Sequence, residues 1–181
     1  MLLIVPTLDY HGRPRDLPGM TIPDTNPEPW FEAAVLPALL RHARTTYGVA
    51  MREALAKAGY DDVPKNGLYV IGGMALDTGA VPLAELIEDL SLSKQAAGQL
   101  VDTLVARGYL ARAEDPDDRR RLIISLTERG RAAATAQAVA RKKIDAELLA
   151  RVGQEAVRHT RQALAALIEI GRECGQQQVE D

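Results

Sequence analysis

Residues 82–130 read PLAELIEDLSLSKQAAGQLVDTLVARGYLARAEDPDDRRRLIISLTERG. Leu83, Leu86, Ile87 and Leu90 fall at i, i+3, i+4 and i+7, one apolar stripe along a helix. Pro82 suits a first helical position, where a missing N–H costs nothing. Ser91-Leu92-Ser93 breaks the rhythm, and the Ser93 hydroxyl is placed to cap a second helix, a contribution of about 1 kcal/mol. That helix buries Ala97, Leu100, Val101, Leu104 and Val105 and stops at Gly108, where a left-handed residue is wanted. Two short helices joined this tightly predict a helix-turn-helix, whose second helix can enter a DNA major groove.

The next residues extend the motif. Tyr109–Ala113 and Leu122–Leu126 have strand composition, and Leu122, Ile124 and Leu126 alternate with Ile123 and Ser125. Between them lies Glu114-Asp115-Pro116-Asp117-Asp118-Arg119-Arg120-Arg121, a turn-forming run that ends in three arginines. A hairpin behind a recognition helix is a wing. Arginines at its tip can reach a phosphate or enter a narrow minor groove, where the negative potential is enhanced.

This segment resembles the core of the MarR (multiple antibiotic resistance regulator) family of dimeric winged-helix transcription factors. The likeness rests on Ser93-Lys94-Gln95, Leu100-Val101-Asp102, Arg107-Gly108-Tyr109, Asp115-Pro116, Asp118-Arg119-Arg120, Leu126-Thr127 and Gly130. About a quarter of the chain carries the close match, and the family's helix order can be laid over most of the rest. Two positions depart from it. Ser91 stands where the family often has glycine. Gly98-Gln99 stand where many members have a hydroxyl residue and an arginine, so base preference does not carry over.

The expected fold is mainly α with a small β-hairpin wing: a winged helix-turn-helix flanked by N- and C-terminal dimerisation helices. The expected divisions are a proline-rich arm at 1–27, an N-terminal dimerisation helix at 28–60 and the DNA-binding domain at 61–130. C-terminal dimerisation helices follow at 131–175, and a frayed tail at 176–181. The leading helix, from Pro29 to Ala58, should kink at Pro37. A shorter one should span Val63–Leu76, weakened by Gly72-Gly73, which would let another backbone come close. Val81 can pair briefly with the wing. Thr127 should cap a long helix with Ala133, Ala136, Val139, Ala140, Ile144, Leu148 and Leu149 on its apolar side, broken at Gly153. A final helix should run from Gln154 to about Cys174.

Composition sets limits on function. The formal charge of −3 argues against a globally basic nucleic-acid-binding surface. Between Ser93 and Arg131, however, eight Lys/Arg face six Asp/Glu, so the local patch is positive, and local potential steers DNA. A single cysteine, Cys174, excludes an intrachain disulfide framework and fits a reducing compartment. Arg172 alone is too thin an electropositive setting to mark it as a sensor. No apolar run is long enough to span a bilayer, and Leu2–Val5 is too short for a secretory signal, so a soluble cytoplasmic protein is expected. His42 and His159 lack a second ligand at helical spacing, so no metal or cofactor is expected. Nor is there a nucleophile–base pair or phosphate loop to suggest an enzyme.

Candidate site residues follow. On the recognition helix, Ser93, Lys94, Gln95, Gly98, Gln99 and Thr103 face away from the apolar stripe. Gln95 and Gln99 offer an amide donor and acceptor that match an adenine edge, and Lys94 suits phosphate or guanine. Gly98 would let the helix sit closer to the bases. Asp102 is expected to hold an arginine. In the wing, Asp118 has the spacing to orient the Arg120 guanidinium, beside Arg119 and Arg121. The resemblance implies Arg120 for the minor groove and Arg119 for phosphate. It also implies a pocket for a small aromatic or amphipathic acid, for which Trp30, His42, Tyr47 and Tyr69, with Phe31 and Arg44, are candidates. The resulting expectation is a homodimeric repressor on a pseudo-palindromic double-stranded operator, released by a ligand. The competing expectation is a winged-helix dimer that binds small molecules or proteins without significant DNA affinity.

Overall fold

The computed structural model describes residues 29–177 apart from 30, 33, 78 and 91, with side chains as far as 174. The expected arm at 1–27 lies outside the described residues. The elements in order are α1 (Leu36–Lys57), α2 (Gly67–Met74), β1 (Ala80–Pro82), α3 (Leu83–Asp89), α4 (Lys94–Ala106), β2 (Leu110–Glu114), β3 (Leu122–Leu126) and α5 (Glu128–Gln177).

Two helix boundaries differ from expectation, each because of a proline. Pro37 stands in the first turn of α1 and does not kink it. Its fixed φ suits that turn, so the helix begins there. Pro64 disfavours helix at Val63, and residues 60–66 form turns instead, with the Gly67 N–H donating to the Pro64 carbonyl at 2.9 Å. The helix expected over 63–76 therefore shrinks to Gly67–Met74.

The helix-turn-helix and wing form as the periodicities imply. Leu86 of α3 and Ala97, Val101 and Leu104 of α4 are buried, while Leu100 and Val105 are partly so. Gly108 has φ 73°, which turns the chain from α4 into β2. The wing strands pair antiparallel from Leu110↔Leu126 to Glu114↔Leu122. β1 adds a third strand on the other side of β3, with Val81 opposite Ile124. Tyr109, Leu110, Ile124 and Leu126 close the core against Leu68, Ile71, Leu55 and Ala133.

α1 packs along α5, joined by the Tyr47 hydroxyl, which donates to Asp145 Oδ1 at 2.5 Å. Gly153 (φ 80°) breaks α5. Beyond it no side chain as far as 174 is buried. Val139, expected on the packed side, is 66% exposed. Val152, Leu167, Ile168 and Ile170 are also exposed, as are Val35 and Leu36 near the start of α1. Gly72 approaches a side chain and not a backbone: a Cβ there would lie 2.8 Å from Gln137 Oε1. Gln137 is itself buried in α5, with its Nε2 unpartnered.

Candidate nucleic-acid interface

The candidate reading face of α4 starts at its cap. The Ser93 Oγ accepts from the Ala96 N–H at 3.2 Å, satisfying one of the orphan donors of the first turn. With Ala97, Val101 and Leu104 turned inward, Lys94, Gln95 and Gln99 are left exposed. Where Gly98 would carry a Cβ there is no heavy atom within 4 Å, so its surface is open. Thr103 is already engaged, because its hydroxyl donates to the Gln99 carbonyl at 2.7 Å. Asp102 holds Arg112 Nη2 at 2.5 Å and so ties α4 to β2, as its chemistry suggested. Both side chains are at least a third exposed, so the pair contributes no more than about 1 kcal/mol.

The wing loop is closed by its own aspartates. The Asp115 N–H donates to the Arg121 carbonyl at 3.0 Å, and the Asp115 carboxylate accepts from the Asp117 N–H at 2.9 Å. Asp118 does not orient the Arg120 guanidinium. Its Oδ1 accepts from the Arg120 backbone N–H at 3.0 Å, and its Oδ2 lies 3.8 Å from Arg121 Nε. An aspartate in a turn meets the N–H two residues on before it can meet a flexible side chain. Arg121 is therefore the arginine committed to the turn. Among the described residues, Arg119 and Arg120 have no ion-pair partner and remain exposed.

A cavity of about 680 Å³ lies between α2, β1 and α3, with Arg44 of α1 at its edge. Its walls include Tyr69, Val70, Met74, Leu86 and Leu90. The Arg44 guanidinium stands 4.2 Å above the Tyr69 ring centre, a cation–π arrangement. Of the residues expected in a pocket, Tyr69 and Arg44 line this one. His42 and Tyr47 do not, and Trp30 lies outside the described residues. Tyr47 is directed to α5 instead, its pKa raised to about 12 by burial and then by the hydrogen bond to Asp145. Met74, Leu86 and Leu90 were not expected as walls, since Leu86 and Leu90 read only as an apolar stripe and Met74 carries no local signal.

Known proteins share this arrangement. The MarR family model matches residues 68–121, from α2 to the wing tip. Over that segment the chain is similar to the MarR family. Likeness to known proteins also extends beyond the matched segment. "Uncharacterized HTH-type transcriptional regulator YhbI" of Bacillus subtilis (strain 168) is 28% identical over 99 residues, 55% of this chain. The chain spans 64% of that relative's length. A probable transcriptional regulator from Pseudomonas aeruginosa, of known structure, is 27% identical, with a TM-score of 0.56 over 73% of this chain and 96% of that one. Streptococcus pneumoniae FabT, solved in complex with DNA, has a TM-score of 0.64 at 16% identity, over 76% of this chain and 96% of its own. At that identity the likeness to FabT is one of fold. Among the described residues no helix is long and apolar enough to cross a membrane.

Proposed function

We propose that this chain is a homodimeric transcriptional regulator, a repressor, that reads a pseudo-palindromic double-stranded operator. The observation that carries the reading is the division of labour in the wing. Asp118 and Arg121 hold the turn, while Arg119 and Arg120 stay uncommitted at its tip. Two adjacent guanidinium groups left without carboxylates repel each other, and a phosphate backbone relieves that repulsion. The exposed Lys94, Gln95 and Gln99 supply the complementary major-groove reader.

The homodimer is supported by the uncovered apolar residues of α5 beyond Gly153 and of the start of α1. A helical segment with no fully buried side chain in its own protomer gains its stability from packing elsewhere. A second copy supplies an identical face and sets the two recognition helices about 34–36 Å apart, one turn of duplex. The ligand reading rests on the 680 Å³ cavity: Arg44 offers a cation to a carboxylate, and Met74, Leu86 and Leu90 offer apolar walls. A small aromatic or amphipathic acid held there releases DNA by favouring a helix spacing that misfits successive grooves.

The test is a selection of duplexes from a random-sequence pool by the wild-type protein, followed by fluorescence anisotropy on the selected sequence. Arg119→Ala/Arg120→Ala should weaken binding about ten-fold or more at physiological salt and flatten its salt dependence by about two ionic contacts. If the wild type enriches no sequence and binds no duplex at low salt, the chain is instead a winged-helix dimer for small molecules or proteins.

A further inference from the structure

Behind the reading face, at the opposite end of α4, three separate elements meet in one polar cluster. Tyr109 follows directly on the Gly108 turn that ends α4, and its ring is fully buried. Its hydroxyl donates to Asp62 Oδ1, in the loop between α1 and α2. Arg129, in the first turn of α5, brings Nη2 to 3.0 Å from the same carboxylate oxygen and 3.1 Å from the Tyr109 hydroxyl. The Arg129 guanidinium lies 4.7 Å above the Tyr109 ring, and Tyr60 meets that ring edge-on at 6.3 Å. Arg107, the cap residue of α4, donates through Nη1 to the Asp62 backbone carbonyl. One aspartate thus receives a phenol and a guanidinium on its side chain and a second guanidinium on its backbone. The Tyr109 bond is the chief cause that holds its carboxyl below the usual 3.8.

We propose that Asp62, Tyr109 and Arg129 form a clasp that sets the angle of the recognition helix relative to α1 and α5. This role rests on the DNA-reading function proposed above and adds a set of positioning residues to it. None of the three needs to touch DNA. α4 has 13 residues, so its first turn lies about 20 Å from the clasp. A tilt of 10° about the clasped end moves that first turn by roughly 3 Å, close to the 3.4 Å spacing of successive bases. An error of that size misaligns Gln95 and Gln99 with their base edges. It leaves phosphate contacts, which follow charge more than register, largely intact. The clasp also joins α4 to the loop that ends α1, and α1 packs along α5. A shift of α1 against α5 is therefore delivered to the recognition helix as a rotation.

The test uses the full-length chain with Tyr109→Phe, which keeps the ring and removes only the hydroxyl, and Asp62→Asn, which keeps the shape and removes the charge. Two quantities are read: the ratio of affinities for a selected duplex and for a random one, and amide hydrogen exchange at 58–63 and 107–111. The proposal expects the affinity ratio to fall about ten-fold, with random-duplex affinity within about two-fold of wild type. It also expects exchange to rise about ten-fold in both segments together. Mere destabilisation would lower both affinities alike and leave their ratio unchanged. An unchanged ratio in both variants, with a wild type that does discriminate, overturns the clasp. A wild type that discriminates no sequence, even though exchange rises in the variants, strikes down the DNA-reading function and this positioning role with it.

Discussion

Replacing Gly130 with alanine sets a methyl group where the Tyr109 carbonyl oxygen already stands. A Cβ built at Gly130 would lie 2.1 Å from that oxygen, 3.2 Å from its carbon and 3.0 Å from Leu126 Cδ2. Two of the three obstacles are backbone, so no rotamer change relieves the contact. Tyr109 must retreat by about 1 Å, and its carbonyl accepts from both the Thr127 N–H and the Thr127 hydroxyl, each at 3.1 Å. Strain of this kind costs about 1–3 kcal/mol, and weakening two hydrogen bonds adds about 1 kcal/mol each. Alanine's better helix propensity returns about 1 kcal/mol. The net loss is therefore about 2–4 kcal/mol, a substantial share of the roughly 5–15 kcal/mol that holds a domain folded. For a chain of this size it should lower Tm by about 5–15 °C. Thermal melting followed by circular dichroism, at fixed protein concentration, measures it. A Tm equal to or above that of wild type would refute the close approach of α5 to the start of β2.

Gly98 gives the converse case. No atom lies within 4 Å of its missing Cβ, so Gly98→Ala should stabilise the fold by about 1 kcal/mol in a melt. On the proposed function the same variant should lose operator affinity in anisotropy, because its methyl group would enter the space proposed for the bases. Tyr47→Phe removes the hydrogen bond to Asp145 and should cost about 1 kcal/mol at pH 7 in urea unfolding. Because folding raises the Tyr47 pKa from 10.0 to about 12, its contribution is complete below pH 10 and disappears as the pH rises to about 12. Wild-type stability should therefore fall more steeply across that window than that of the variant. Ile168→Glu places a charge on the uncovered face of α5 and should convert a dimer into monomers in sedimentation equilibrium. A wild type that sediments as a monomer would contradict the assembly.

The local signals of the winged-helix lobe were legible because each has a short period or a fixed partner nearby. The stripe of Leu83, Leu86, Ile87 and Leu90, the Ser93 cap, the stop at Gly108 and the alternation of Leu122–Leu126 all act within a few residues. The start of α1 was misread because a proline within an apolar helical pattern looks alike whether it opens the helix or kinks it. Val139 was misread because an apolar stripe does not say whether its own protomer or another covers it. Polar partnerships across long separations left no trace. Tyr47 finds Asp145 98 positions away, and Tyr109 finds Asp62 47 positions away. Periodicity encodes which face is buried and nothing about which distant polar atom will meet it. In the wing, the Asp-x-Arg spacing was visible, but a backbone N–H took the place expected for a guanidinium.

The central claim is that α4 and the wing meet one duplex together, twice, in a symmetric pair. Hydroxyl-radical footprinting on a duplex selected by the wild-type protein tests it most directly. The account predicts two equivalent protected patches centred one helical turn apart, each flanked by minor-groove protection that disappears in Arg119→Ala/Arg120→Ala while the central patches weaken but persist. A single unpaired patch, or flanking protection that survives loss of both arginines, would contradict it.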